Sequence, residues 1–235
     1  MRFVATFTSL MLCVVSSAAQ YDIGISGGVF SFQLNNKAKD RYRPTSFSTS
    51  QLPWSVSAWY RERGEKAVGL QVELQWMQKA FHTEFSSGGL GGGTNYSEDV
   101  VAQFVHFHIG PEVQIGQRKL FQFRTGPQIG ILVGGTKSGT SESWSIISAP
   151  TSGQVTNVRL KDYQGDVRWL FSFGYQQGFG GRFRCSIDPY VSFGLTGIHA
   201  NPHMALRDIG VRISGSVRVN RKPFWVSLRK GAPTK

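Results

Sequence analysis

The stretch Val68–Trp76, VGLQVELQW, decides the fold of this chain because every second residue in it is apolar. Glycine, glutamine and glutamate occupy the positions between, and an alternation of period two is typical of a β-strand with one apolar and one polar face. Such a strand can turn its apolar face towards a protein core or towards lipid. The rest of the chain is needed to decide between these two.

The N-terminus has the pattern of a secretory signal. Arg2 gives a positive start, a mostly apolar run extends from Phe3 to Val15, and small residues precede Gln20. The run is too short for a spanning helix, so we predict a signal peptide over residues 1–19. We expect an outer-membrane β-barrel over residues 20–219 and a basic C-terminal tail over residues 220–235.

Composition narrows the class of protein further. The formal net charge is +12, but the basic residues are scattered along an exported chain rather than gathered in one patch. We therefore expect no nucleic-acid partner, and we expect the positive charge to meet lipid headgroups and lipopolysaccharide phosphates. After removal of the signal peptide only Cys185 remains, which excludes an intramolecular disulfide.

Eight segments of the chain alternate like the opening stretch. They cover residues 21–34, 52–63, 67–81, 100–115, 120–133, 166–177, 182–196 and 206–219. Short turns at 64–66, 116–119 and 178–181 alternate strictly with long connections at 35–51, 82–99, 134–165 and 197–205. In an up-and-down meander all long loops then lie at one end, which is the layout of an outer-membrane barrel.

The bulk of the apolar face indicates that this face points to lipid, since an eight-stranded barrel has room inside for little more than its own side chains. The large aromatic residues on this face are Trp54, Tyr60, Trp76, Phe107, Phe121, Phe123, Trp169, Phe171, Phe173, Tyr175, Phe183 and Phe193. The opposite face carries small residues, namely Ser55, Ser57, Gly69, Gly130, Ser172, Gly174, Ser192, Gly194, Ser214 and Ser216. In the opening stretch we expect Val68, Leu70, Val72, Leu74 and Trp76 to face lipid, and Gln71, Glu73 and Gln75 to face the lumen.

We predict an all-β fold: an eight-stranded antiparallel up-and-down transmembrane β-barrel with a polar, plugged interior. The charged and histidine side chains expected inside are Glu73, His106, His108, Glu112, Arg124, Arg168, Arg182, Arg184, Asp188, Asp208, Arg212 and Arg218. Charges of both signs in so narrow a lumen must pair or meet water, because an unpaired buried charge is costly.

Four segments resemble a known family. They are YDIGISGGVF after the signal peptide, AVGLQVELQWMQKAF, FRTGPQIGILVGG and VRWLFSFGYQQGFGG. Together they resemble the PorT-like "outer membrane protein beta-barrel domain" family of small Gram-negative barrels. The resemblance implies a location in the cell outer membrane and a link to type IX secretion, and it brings no functional site residues with it. The chain departs from the usual pattern by continuing past its last strand, from Asn220 to Lys235.

No motif marks a catalytic, cofactor or metal site, so we predict no enzymatic activity and no cofactor. His106, His108 and Glu112 share one strand face and could in principle form a metal site. Ser57 with Glu73 and the same histidines could in principle form a serine–histidine–acid set. We interpret all of them as lumen side chains instead.

Two of the long loops carry candidate contact residues. Trp144, Ile146 and Ile147 are apolar residues on the longest loop, where exposed apolar groups can mark a binding surface. Lys37, Lys39, Arg41 and Arg43 lie in the first long loop and are candidates for contact with lipopolysaccharide phosphates.

The expected role is structural or interactive: a monomeric, porin-like cell-surface barrel, or an accessory part of a secretion or adhesion apparatus with a protein partner. Three alternatives stay open. An outer-membrane enzyme acting on lipid or lipopolysaccharide would show a serine–histidine–acid or metal cluster at one rim. A narrow channel would conduct ions, and a soluble ligand-binding barrel would remain in the periplasmic fraction.

Overall fold

The structure, a computed structural model, describes residues 20–35, 46–62, 67–116, 120–160, 165–196 and 205–220. The predicted signal peptide, the basic residues Lys37, Lys39, Arg41 and Arg43, and residues 221–235 of the predicted tail lie outside these ranges. The strands are β1 (Gln20–Asn35), β2 (Ser46–Thr49), β3 (Trp54–Glu62), β4 (Val68–Gly89), β5 (Gly92–Ile115), β6 (Phe121–Ser145), β7 (Thr151–Arg159), β8 (Asp166–Phe179), β9 (Phe183–Gly194) and β10 (Ala205–Asn220). Within the described ranges no helix is long and apolar enough to cross a membrane.

Eight of these strands close into an antiparallel ring in the order β1, β3, β4, β5, β6, β8, β9, β10. The last strand pairs back to the first along the whole of both, from Gln20 opposite Asn220 to Asn35 opposite Ala205. β2 continues the wall beside β4, and β7 pairs with the outer part of β6. Closure satisfies the backbone groups that lipid cannot, so the ring meets the main requirement for a membrane-spanning sheet. The predicted up-and-down barrel is confirmed.

The two faces of the wall differ as the alternation predicts. On β4 the side chains of Gln71, Glu73 and Gln75 are buried in the lumen, whereas Leu74 and Trp76 are 42% and 38% exposed on the outside. The other ring strands follow the same rule. Exposed apolar side chains on their outer face include Ile25, Val56, Ile109, Ile129, Phe173, Ile187 and Ile213. The apolar face therefore meets lipid, as in a membrane-spanning barrel.

Two predicted lipid-facing side chains, Tyr60 and Val72, are instead buried. They stand opposite each other in the β3–β4 register on the outer wall. The ring of Tyr60 also lies 5.5 Å from the ring of Tyr21, measured between centroids. Packing between neighbouring strands therefore contributes to covering them, and this is a tertiary contact that alternation within one strand cannot show.

The connections predicted as loops at 82–99 and 134–165 are largely strand, so that prediction was wrong. β4 and β5 remain paired as far as Gly89 and Gly92, and β6 continues to Ser145 with β7 on its outer side. These extensions are rich in glycine, serine and threonine, and much of their surface meets water. They lack the apolar alternation that reveals a strand, although β4–β5 and β5–β6 pairing runs through them unbroken and β6–β7 pairing shifts register once, between Lys137 and Gly139.

The orientation of the wall can be tested by introducing an arginine at two positions of the chain, one on the lipid-facing wall and one beyond the membrane. Leu74→Arg places a charge on the lipid-facing wall, where it costs about 2–4 kcal/mol near the membrane midplane. We expect Leu74→Arg to reduce the folded, heat-modifiable form on gels of outer-membrane fractions. Leu90→Arg, at the fully exposed β4–β5 turn, should leave that form unchanged. Equal effects of the two variants would contradict the assigned orientation.

Candidate functional site

The lumen is filled by ion pairs arranged at successive levels. Near the short-turn end, Arg61 of β3 donates to Asp22 Oδ2 at 2.6 Å and also to Glu112 of β5. The indole of Trp59 lies beneath the same guanidinium, 5.2 Å from ring centroid to Cζ. The same guanidinium donates to Gln122 of β6 at 3.1 Å and to Gln176 of β8 at 3.4 Å, so one arginine links five strands at the base of the barrel.

The middle level joins opposite walls. Arg212 of β10 donates to Glu73 Oε1 of β4 at 2.8 Å, and the Ser57 hydroxyl donates to the same carboxylate at 2.6 Å. Arg124 of β6 lies 3.0 Å from Asp188 of β9. Each cation is buried and meets an anion from another strand, as narrow space and low dielectric require.

The upper level is centred on Asp208 of β10. Lys79 Nζ lies 3.0 Å from both oxygens of this carboxylate, and Arg168 donates to it and to Asp166. The Lys79 ammonium also lies between 5.5 and 5.9 Å from the centroids of three phenylalanine rings, those of Phe30, Phe32 and Phe104. Lys79 therefore stands at the boundary between the ion pairs and an apolar region above them.

That apolar region closes the lumen at the long-loop end, and sequence reasoning missed it. Its buried members are Phe30, Phe32, Met77, Phe81, Val100, Ala102, Phe104, Leu160, Leu170, Tyr190 and Leu206. The interior is consequently polar below and apolar above. The predicted plug is confirmed, with an apolar cap added to the expected salt bridges.

Most charged residues predicted for the lumen are there, but three are not fully inside. Arg182 is exposed in the β8–β9 turn, and Arg184 and Arg218 are half-buried at the short-turn end. Four further buried charges were missed, namely Asp22, Arg61, Lys79 and Asp166. Phase within the strand could have found three of them, since Lys79 is in phase with Glu73, Asp166 with Arg168, and Arg61 with Ser57.

The candidate metal and catalytic residues of the lumen do not converge on a site. Glu112 is held by Arg61, and the Nε2 atom of His106 lies 3.7 Å from Asp166. Ser57 donates to Glu73 rather than to a histidine. Across the described residues no group of three histidine, cysteine or acidic side chains is placed to hold a metal ion.

Beyond the ring, β4, β5, β6 and β7 form a sheet at the long-loop end, which in outer-membrane barrels faces the outside of the cell. We call it the extracellular sheet, and its tip is apolar. Leu90 and Ile147 are almost completely exposed, Ile146 is 74% exposed and Trp144 is 46% exposed. The Ile146 amide donates to the Gly91 carbonyl at 3.2 Å, which joins the two turns of the tip. No charged residue or histidine occurs in residues 85–97 or 143–158. The candidate contact residues Trp144, Ile146 and Ile147 are thus presented together with Leu90 on one uncharged tip.

Closer to the membrane, the same sheet carries a polar row on its outward face. His82 Nδ1 lies 3.0 Å from Asp99 Oδ1, and His82 Nε2 lies 3.4 Å from Ser97 Oγ and 3.5 Å from Glu84 Oε1. The hydrogen bond with Asp99 raises the pKa of His82 above its usual value, with a smaller contribution from Glu84. A hydrogen bond from Ser46 lowers the pKa of Glu84.

Comparison with known proteins agrees with this architecture. The model of the family described as outer membrane protein beta-barrel domain matches residues 16–200. No curated protein matches the chain significantly.

Similar solved structures include three small outer-membrane proteins. The attachment invasion locus protein Ail of Yersinia pestis, solved in complex with the heparin analogue sucrose octasulfate, is 11% identical over 86% of this chain and 99% of its own, with a TM-score of 0.42. Neisserial surface protein A is 8% identical over 86% and 97%, with a TM-score of 0.37. OprG of Pseudomonas aeruginosa is 12% identical over 86% and 97%, with a TM-score of 0.34.

The ion pairs of the upper lumen can be ranked by substitution. Arg168→Met leaves Asp166 without its arginine partner, and breaking a buried pair costs about 3–5 kcal/mol. Lys79→Met leaves Asp208 still paired with Arg168, so we expect a smaller loss. Guanidinium unfolding in lipid vesicles, followed by tryptophan fluorescence, measures both. A larger loss for Lys79→Met would mean that Arg168 is not the main partner of Asp208.

Proposed function

The chain belongs to the outer membrane protein beta-barrel domain family, and we propose that it is a closed surface barrel that holds an extracellular sheet in place for contact with a protein partner. It is an outer-membrane protein surrounded by the lipids of that membrane. The main support for this role is the uncharged apolar tip of the extracellular sheet.

Two properties of the tip favour a binding role: its exposed apolar side chains and the paired strands that hold them. Large exposed apolar groups are costly in water unless they are covered by a partner at least part of the time. Trp144 projects from the paired end of β6, and Ile147 follows in the short connection to β7, next to the hydrogen bond between Ile146 and Gly91. Both side chains are therefore held close to paired strands, which limits the chain entropy lost when they are covered. A rigid apolar anchor at the far end of a sheet is a suitable contact for another protein.

The filled lumen favours this role over the alternative of a channel. The ion pairs of Arg61, Arg212 and Arg168 cross the interior at successive levels, and the apolar cap lies above them. An ion entering the lumen would have to displace buried pairs and then cross a phenylalanine-lined region. Both steps are energetically costly.

The finer roles named in the sequence analysis stay predictions. An accessory part in secretion is implied by the PorT-like resemblance, and the monomeric state, the absence of catalysis and binding of lipopolysaccharide by Lys37, Lys39, Arg41 and Arg43 are expectations. Deleting the gene and measuring the secreted proteins tests the accessory role in secretion. Neutralising those four basic residues without loss of lipopolysaccharide binding would contradict the last.

A photo-crosslinking residue placed at Ile147 tests the proposed contact on intact cells. We expect crosslinks to a defined surface protein, and we expect them to disappear when Trp144→Ser is added, since the same apolar tip is then weakened. The matched control places the crosslinker at Ile213, which faces lipid on β10, and should give lipid adducts. The absence of protein crosslinks from Ile147, or equal crosslinks from Ile213, would contradict a binding role for the tip.

The closed lumen gives a second prediction. Purified protein in planar bilayers should show no stable conductance, because buried ion pairs and the apolar cap fill the path. Asp208→Ala removes the carboxylate shared by Lys79 and Arg168 and should produce flickering openings. Stable channels in the unmodified protein would contradict the closed lumen and favour the channel alternative.

A further inference from the structure

Strand pairing in the extracellular sheet brings a serine, a histidine and an aspartate into one row. Asp99 Oδ1 lies 3.0 Å from His82 Nδ1, and Ser97 Oγ lies 3.4 Å from the other ring nitrogen, Nε2. Serine, histidine and carboxylate in this order form the arrangement that activates a serine hydroxyl as a nucleophile. We propose that Ser97, His82 and Asp99 form a catalytic site that hydrolyses carboxylic esters at the cell surface. This activity goes beyond the binding role proposed above, and it departs from the sequence-based prediction of no enzymatic activity.

The β4–β5 register explains why these three residues meet. His82 stands directly opposite Asp99, and Glu84, two residues further along β4, stands directly opposite Ser97. A side chain on one strand reaches both its direct and its diagonal neighbour on the next strand. The imidazole of His82 therefore contacts two residues of β5, Asp99 straight across and Ser97 diagonally.

The position of the row indicates the class of substrate. His82 continues the outward face of β4 that includes Leu74 and Trp76, and it lies beyond the pair formed by Ala80 and Val101. Its side chain is 28% exposed. A group lying on the outer surface of the membrane can therefore reach it. The fitting chemistry is an acyl ester, either of an outer-leaflet lipid or of an acylated glycan above that leaflet.

The reaction balances with these groups and water. Ser97 Oγ attacks the ester carbonyl carbon while its proton passes to His82 Nε2, and Asp99 stabilises the imidazolium. Collapse of the tetrahedral intermediate breaks the ester C–O bond, and the leaving alcohol takes the proton from His82. Water then attacks the acyl-serine, again losing a proton to His82, and the carboxylic acid leaves as Ser97 recovers its hydrogen.

The neighbouring strand supplies a donor for the developing charge. Thr140 of β6 stands directly opposite Ser97, so its side chain lies on the same face of the sheet. Thr140 is exposed, so its hydroxyl is free to turn towards an ester bound at Ser97. Donors of this kind stabilise the oxyanion that forms during acyl transfer.

Glu84 gives the site a dependence on pH. Its carboxylate lies 3.5 Å from the same Nε2 atom that faces Ser97, and Ser46 donates to its other oxygen at 2.8 Å. The charged groups that face His82 from β4 and from the adjoining parts of β2 and β5 are Glu84 and Asp99. Protonated His82 pairs with both carboxylates and cannot accept the serine proton. Activity should therefore rise as pH increases through the pKa of His82, which lies above its ordinary value.

The experiment uses the full chain folded in lipid vesicles and a biotinylated alkyl fluorophosphonate. We expect the probe to modify Ser97, with no modification of this site in Ser97→Ala and a rate reduced about 100-fold in His82→Ala. Ser86→Ala is the matched control, since Ser86 is an exposed serine on the same face whose hydroxyl donates to Asn95 at 2.7 Å. Glu84→Gln should keep the reaction and move its pH profile to lower pH.

Three ester substrates then separate the possible sources. Vesicles of phospholipid, vesicles of lipopolysaccharide and a soluble p-nitrophenyl ester are each assayed for released carboxylic acid. Release from any of them that is lost in Ser97→Ala and kept in Ser86→Ala supports the site and names the source. Heat-modifiable gel migration verifies that each variant is folded. Absence of both probe labelling and acid release in the folded unmodified protein, or equal values in Ser97→Ala, would overturn the proposal without affecting the binding role of the tip.

Discussion

Closure of the sheet through the β1–β10 ladder is the interaction on which the rest of this structure depends. In lipid, a backbone N–H or C=O without a partner has no water to bind, so an open sheet edge is excluded. Pairing from Gln20–Asn220 to Asn35–Ala205 removes that edge. Once the ring is closed, the alternation of side chains assigns every residue of the wall to lipid or to lumen.

The narrowness that follows from closure governs the interior. Large cations such as Arg168 and Arg212 fit because small residues occupy nearby wall positions. At Gly174 an added Cβ would clash with the Asp188 carboxylate. Glycine at this position therefore makes room for a buried charge. Charges and small residues are thus two parts of one packing solution, and the result is a filled lumen rather than a pore.

The extracellular sheet is built from the same ladders after they leave the membrane. There the backbone pairing continues although both faces meet water, which makes the projecting hairpins stiff. Stiffness supports both proposed roles. It holds Trp144, at the end of β6, away from the membrane, with Ile147 in the adjoining turn. It also holds His82 between Asp99 and Ser97 by strand register alone.

The sequence by itself determined the parts of this protein that depend on periodicity within one strand. Alternation in VGLQVELQW and its counterparts was enough for the eight ring strands, their lipid-facing side and most of the lumen charges, because burial in a barrel wall repeats every two residues. Contacts between strands are not encoded in that period. Tertiary pairing decided three features: the burial of Tyr60 and Val72, the apolar cap around Lys79, and the continuation of strands β4, β5, β6 and β7 beyond the membrane. The row of His82, Ser97 and Asp99 has the same origin, since only the register of two antiparallel strands brings residues from positions 82 and 97 within hydrogen-bond distance.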